Sequence, residues 1–463
     1  HFPSPFTVLY LDSTFYMMEY ALIVLAIATH GALPVLSFAP VGRSFLKSWS
    51  EDRYNYVNFY ATNEDTAGDA TTTTPHRRRQ RYSGRYPRSF QDKYKEISGD
   101  ESTIQKVLAK GMTPAGTHVP IMVKECLHYM GLGSSDTNEA DKKQPLLVVD
   151  CTLGYGGHSS YILKYLSKRN DGSRLISFDQ DSLEIKKTEE RLRSALKDNS
   201  LPSLNGDEES SDRIANNDDI LTAVNQNFQT LGAYLSSVDQ TKKVTSLLAD
   251  LGLSSMQIDD NDRGFTYKRV GPLDMRMNPD ENTESANDLL RRLRVRQLKS
   301  MLKENSDEEF AAEIAVGLIG KGVKIPETTV ELADRVRDIV RPLIEKQNGK
   351  MNSNQMKDMK RLLDSTVARV MQAIRIEVNG EFEVLEKLLE DIPSVLATGG
   401  KAVFLTFHSG EDRRVKKSFK SGFKSGIYSA WSDDVVRPSR EERRNNPRSS
   451  CCKLRWAIRS EDV

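Results

Sequence analysis

The stretch PLLVVDCTLGYGGHSSYILKYLSK, residues 145–168, constrains the fold more than any other part of the chain. It begins as an apolar run of the buried-strand type and ends that run on Asp150. Glycines follow at Gly154, Gly156 and Gly157, then a helical run carrying apolar Ile162, Leu163 and Leu166. RLISFDQD (174–181) repeats the strand-then-acid pattern, SLEIKKTEERLRSAL reads as an amphipathic helix, and VTSLLAD (244–250) is another buried strand ending in an acid. Alternating strands and helices of this kind predict an α/β fold, a doubly wound and mostly parallel Rossmann-like sheet. Ligands of such sheets bind beyond the carboxyl ends of the strands.

At 463 residues the chain exceeds one compact core, so two globular parts with extensions are expected. Residues 284–346 change character. Phe310, Ile314 and Leu318 share one helical face, as do Leu332, Val336, Ile339, Val340 and Leu343, with no strand candidate between them. KQNGKMNSNQMKDMK (346–360) reads as a spacer. RVMQAIRIEVNGEFEVLEKLLEDI reads as one long helix stopped at TGG, and KAVFLTF (401–407) as the strand on which the sheet resumes. The expected organisation is a leader and basic linker over 1–100 and the first half of the α/β domain over 118–280, with a polar surface insertion at 197–219. An all-helical insertion follows over 281–365, and 366–463 holds the second half with a basic tail.

The N-terminal hundred residues are read as targeting sequence rather than fold. The chain opens at His1, and Met17 or Met18 is read as the start. The apolar run Ala21–Ala28 is too short to span a bilayer and suits a signal-peptide core, so no stable membrane association is expected. LSFAP (36–40) resembles the cleavage region of bipartite plastid-targeting peptides in algae with complex plastids. Residues 71–90 then hold six arginines and no acid, as a transit peptide or basic arm does. The expected location is an organelle, the plastid first and the mitochondrion as the alternative. Four cysteines without paired spacing suggest a reducing compartment, and seven scattered histidines suggest no structural metal.

The glycine loop with Asp179 at the next strand end fits an adenosine-containing ligand, whose ribose hydroxyls an acid at that place accepts. His158-Ser159-Ser160 stands where a dinucleotide loop carries its third glycine, which favours a smaller adenosyl ligand. DLGLSSMQIDDNDRGFTYKRVGPLDMRMNP (250–279) then resembles the signature of the bacterial-type small-subunit (16S) rRNA cytosine-N4 methyltransferases. So do DCTLGYGGHS, RVMQAIRIEVNGEFEVL, FHSGEDRRVKKSF and RPSREERRNNPRSSCCKLR, in that family's order, from about His118 to Arg459. The resemblance implies a class I S-adenosylmethionine (SAM)-dependent methyltransferase fold and a decoding-region cytidine of small-subunit rRNA, free or in the small ribosomal subunit, as acceptor. It assigns SAM contacts to Gly156, Gly157, His158, Asp179, Phe228, Asp250 and Gln257. The chain departs from the family at Gly410, where leucine is usual, at Cys451-Cys452, which replace two small residues, and in LLDSTVARVMQAIRI.

A cytosine amino group is a weak nucleophile, because its lone pair is delocalised into the ring. Methyl transfer to it needs acceptors that draw its protons. Asp250 can bind the amino-acid part of SAM or accept from the target amine; Ser254 and Ser255 can line a base pocket or simply cap a helix. His408 and Asp412, with Glu411 between them, fall at another strand end, in a positioning or a structural role. Asp274 and Arg276 suit RNA contact or an internal ion pair, and Cys151 suits packing. From Glu411 to Ser460 fourteen Lys/Arg face six acids, with Tyr428, Trp431 and Trp456 interleaved, a composition for rRNA or for a solvated face. Two other functions compete: an rRNA-binding assembly factor without catalysis, and a nicotinamide-dependent oxidoreductase, which the glycine pattern disfavours.

Overall fold

The computed structural model describes residues 120–133, 144–169, 171–202, 219–238, 243–279, 283–348 and 351–461. The leader, the basic linker and most of the 197–219 insertion lie outside the described residues. Helix α1 (Val123–Met130) precedes the first strand. Then β1 (Leu147–Asp150), α2 (Gly157–Arg169), β2 (Arg174–Phe178), α3 (Ser182–Lys197), β3 (Leu221–Val224), α4 (Leu231–Val238) and β4 (Val244–Asp250) alternate as the pattern requires. Helix α5 (Ser255–Asp259) closes this half.

Among the described residues the sheet has seven strands in the order β3-β2-β1-β4-β5-β7-β6, with β5 (Leu396–Thr406), β6 (Tyr428–Trp431) and β7 (Lys453–Arg459) from the end of the chain. Pairing is parallel from β3 to β5 and antiparallel at β5–β7 and β6–β7. Alternation along β1 sorts its side chains onto two cores. Val148 joins Leu163, Leu175 and Met130 on one face; Leu147 and Val149 join Leu235, Leu388 and Phe419 on the other. Both faces are covered, which is why these strands read as unbroken apolar runs.

Between β4 and β5 lie α6 (Ala286–Arg292), α7 (Val295–Ser306), α8 (Ala311–Ile319), α9 (Thr329–Asn348), α10 (Ser353–Asn379) and α11 (Glu381–Val395). Helices α6 to α10 share a third core with Phe265, Leu273 and Met275 of the loop that follows β4. The helical unit therefore extends past the boundary expected at residue 365. The expected spacer at 346–360 is mostly helix: α9 runs to Asn348, and Asn352 caps α10 by accepting from the backbone N–H groups of Asn354 and Gln355. The first turns of α10 are solvent-exposed, so they carry no apolar stripe that would reveal a helix.

The single long helix expected from residue 369 onward is two helices. Gly380 (φ +56°) ends α10 and begins α11. The helix also stops at Val395, before TGG, and Thr398–Gly400 fall within the span of β5, whose register against β4 shifts there. The basic tail is folded onto the sheet. It forms α12 (Ser409–Lys424), β6, α13 (Arg440–Asn445) and β7, with Tyr428 buried and Trp456 stacked on Tyr129 at 5.3 Å. Among the described residues no helix is long and apolar enough to cross a membrane.

Candidate active site

A cavity of about 290 Å³ opens at the carboxyl ends of β1, β2, β4 and β5. One flank is the turn after β1. Asp150, wholly buried, holds that turn by accepting from Thr152 N (3.0 Å) and from the Ser159 hydroxyl (2.6 Å). Gly154 N donates to Asp179 Oδ2 at 2.7 Å, which ties the glycine loop to the end of β2. Gly154 sits at φ +48° with nothing within 4 Å of where a Cβ would stand, so the loop presents open backbone. Gly156 (φ +71°) has another duty: a Cβ there would meet Leu192 at 2.9 Å, so its glycine lets α3 pack behind the loop.

Of the residues assigned to SAM, Gly157, His158, Asp179, Phe228, Asp250 and Gln257 all line the cavity, and Gly156 shapes the turn from behind it. Burial pushes the carboxyls of Asp179 and Asp250 up to about 6 each. His158 Nε2 lies 2.9 Å from the Ile121 carbonyl, which can only accept, so this nitrogen carries a proton. Its Nδ1 stands 3.4 Å from Asp250 Oδ2. Asp250 Oδ1 is shut away from solvent without a hydrogen-bond partner among the described residues. A cavity with bare glycine backbone, a carboxylate at the end of β2 and a second at the end of β4 fits a bound adenosyl sulfonium.

Ser254 lines the cavity and also caps α5. Its hydroxyl accepts from Gln257 N at 3.2 Å, while Gln257 Oε1 accepts from Ser254 N at 3.0 Å. Ser255 is the first residue of α5, and its side chain lies outside what the structure describes. His408 borders the cavity and caps α12, Nδ1 accepting from Glu411 N at 3.4 Å. Asp412 does not reach the cavity: Arg455 Nε (2.6 Å) and Lys453 Nζ (3.0 Å) hold its two oxygens in an ion-paired link to β7. Asp274 and Arg276 make an internal pair at 2.7 Å, and Cys151 is buried packing.

The far flank comes from residues that local patterns did not single out. Arg375, Asn379 and Glu381, at the α10–α11 junction, line the cavity with Glu411. Arg375 holds Glu381 through two bonds of 2.7 and 2.8 Å. Asn379 accepts from Met277 N and donates to the Met275 carbonyl, both at 2.8 Å, which fastens the signature loop to the helical unit. Arg263 of that loop pairs with buried Asp181 at 2.8 Å. The sequence signal for this flank was the block RIEVNGE, whose polar residues interrupt an apolar helical stripe. Glu381, His408 and Glu411 bring candidate ligand atoms within 4.8 Å of one another. Arg375 already neutralises Glu381 and His408 spends Nδ1 on its cap, so this group reads as an ion-paired helix start.

Strand order and cavity together define a class I SAM-dependent methyltransferase fold. The model of the MraW methylase family matches residues 115–460. Ribosomal RNA small subunit methyltransferase H 1 of Lachnoclostridium phytofermentans is 40% identical over 390 residues, 83% of this chain and 93% of that protein. The protein of the same name from Agathobacter rectalis is 39% identical over 391 residues, covering 83% and 98%. A solved rRNA methylase from Streptococcus thermophilus aligns with 68% of this chain and 88% of its own, at 10% identity and a TM-score of 0.28. The chain belongs to the MraW methylase family, which bears out the resemblance read from its motifs.

Proposed function

We propose that this chain transfers a methyl group from SAM to the N4 amino group of a cytidine in the decoding region of small-subunit rRNA, inside an organelle, the plastid before the mitochondrion. The observation that carries the chemistry is Asp250. It lies at the carboxyl end of β4, in the cavity wall between the glycine loop and the His408–Glu411 turn, with its side chain 28% exposed and Oδ2 3.4 Å from His158 Nδ1. Bound SAM would supply an electrophilic methyl carbon. Asp179 would accept from ribose hydroxyls through lone pairs that Gly154 N leaves open, and Gly157, His158, Phe228 and Gln257 would complete that flank.

The acceptor nitrogen must give up a proton when it gains the methyl group, and Asp250 is the carboxylate best placed to draw it away. The other cavity carboxylates are engaged: Glu381 by Arg375, Asp181 by Arg263, Glu184 by Lys187 at 3.4 Å, Glu411 by the backbone N–H of Phe407 at 2.7 Å, and Asp179 by the N–H groups of Gly154 and Asp181 on the ribose side. The rRNA substrate rests on the names of the two relatives, and the organelle on LSFAP and the basic stretch at 71–90. Mass spectrometry of nucleosides from organellar small-subunit rRNA tests the whole reading. Deleting the gene should remove N4-methylated cytidine at one position, and a spectrum unchanged in both organelles would refute it.

A further inference from the structure

The motif NNPRSSCC near the end of the chain does more than add charge. Pro447–Cys451 form a short 3₁₀ turn pinned by fully buried Ser449, whose hydroxyl donates to the Asn446 carbonyl at 2.8 Å. The turn delivers Arg448 to the cavity wall beside Asn446 and Cys451. Its Nη2 reaches Asp259 only at 3.3 and 3.4 Å. Its Nη1 is buried and finds no acceptor among the described residues. Buried guanidinium nitrogens are rarely left so, since each N–H forfeits its water. Arg443 and Arg444, on α13, are exposed to solvent instead.

We propose that Arg448 grips a phosphodiester oxygen of the RNA strand next to the nucleotide presented to Asp250; this rests on the RNA reading above. Lys268, on the signature loop, is a second cation at the same place. Desolvation and then the nearby Arg448 push its ammonium below the usual lysine range. Among the described residues, Asp259 is the anion that pairs with Arg448. The buried, unmet N–H of Arg448 leaves an anion subsite at this wall, and a planar guanidinium matches the oxygens of a phosphodiester. The cofactor's carboxylate is the other anion that could fill it, and the test separates the two.

The full-length protein is assayed on a small-subunit rRNA fragment containing the target cytidine. Fragments carrying one uncharged methylphosphonate linkage, 5′ or 3′ of the target, are assayed beside it. Wild type should lose about tenfold in kcat/KM with one of the two neutral linkages, the scale of one charge-assisted hydrogen bond. Arg448→Met should lose as much on the native fragment and nothing more on the neutral one, with Arg448→Lys between. SAM affinity by calorimetry should stay within about twofold. Wild type indifferent to both neutral linkages overturns the proposal without any variant. So do losses that multiply in full, or a SAM affinity that falls with Arg448→Met. A wild type that binds SAM yet methylates no rRNA fragment refutes the functional reading itself, and this proposal with it.

Discussion

Asp250 and Asp179 are carboxylates that the fold makes reluctant to ionise, desolvation raising both from 3.8 to about 6. A carboxyl whose folded pKa is raised binds its proton more tightly in the native state. Its contribution to stability is fully present below about pH 4 and is lost as pH climbs through about 6. Asp250→Asn should therefore melt a few degrees higher than wild type at pH 7.5 and show little difference at pH 4. The same variant should lose turnover by about a hundredfold or more, and the wild-type rate should rise as pH increases through about 6. Melting curves at the two pH values, with a pH–rate profile, test both halves. A variant less stable at pH 7.5 would mean that the His158 contact outweighs desolvation. At this scale the sequence was informative where chemistry is local. An acid at a strand end and glycines after it could be read directly. His408 could not be resolved, because a histidine before S-G-E-D looks the same whether it caps a helix or faces a substrate.

Helix α12 shows how one element absorbs a departure from its family. A Cβ on Gly410 would meet the Phe382 ring at 2.6 Å. That ring is buried beneath the Arg414 guanidinium, 3.4 Å from its centroid, and tilts against His408 at 5.8 Å. The glycine is thus the space that Phe382 occupies, where leucine is usual. Gly410→Leu should destabilise the protein by about 1–3 kcal/mol through overpacking. Adding Phe382→Leu should recover most of that loss. Denaturant unfolding of the two singles and the double decides it, and a double variant no better than Gly410→Leu would break the link. The helix boundaries that the sequence misled on have equally local causes. Exposed first turns hid the start of α10. At Gly380 the apolar spacing runs on through a left-handed residue that only the glycine itself betrays.

Across the molecule, positive charge is distributed between structure and surface. Lys453 and Arg455 are spent on Asp412, Arg413 on Asp307 and Arg414 on Glu386, so the surplus counted along the tail overstates what RNA can meet. Arg443 and Arg444 remain exposed on α13. Replacing both with glutamine should flatten the salt dependence of rRNA affinity by roughly 0.7 in log–log slope for each phosphate no longer neutralised, with SAM affinity unchanged. Filter binding from 50 to 300 mM salt, roughly the range over which such slopes are read, measures it; an unaltered slope would shift the RNA face to the helical unit. The cavity's far flank was the least legible part of the site. Arg375 and Glu381 are distant in sequence from the glycine loop they face, and only the tertiary fold brings them there.

The strand order has a consequence for how the chain is made. β4 pairs with β1 on one side and with β5 on the other, yet the whole helical unit is translated between β4 and β5. At ribosomal rates of about 5–20 residues per second, roughly 150 residues of intervening chain delay β5 by about 8–30 s. During that interval β3, β2, β1 and β4 form a half-sheet that leaves β4 as an unpaired edge in addition to β3, which stays an edge in the finished sheet, and such an edge invites pairing with a neighbouring chain. The helical unit, whose helices pack around a core of their own, has time to fold beside it. The sheet closes only when β5 and then β7 emerge, so the nascent protein depends on late residues both for its base-facing flank and to seal a growing aggregation surface.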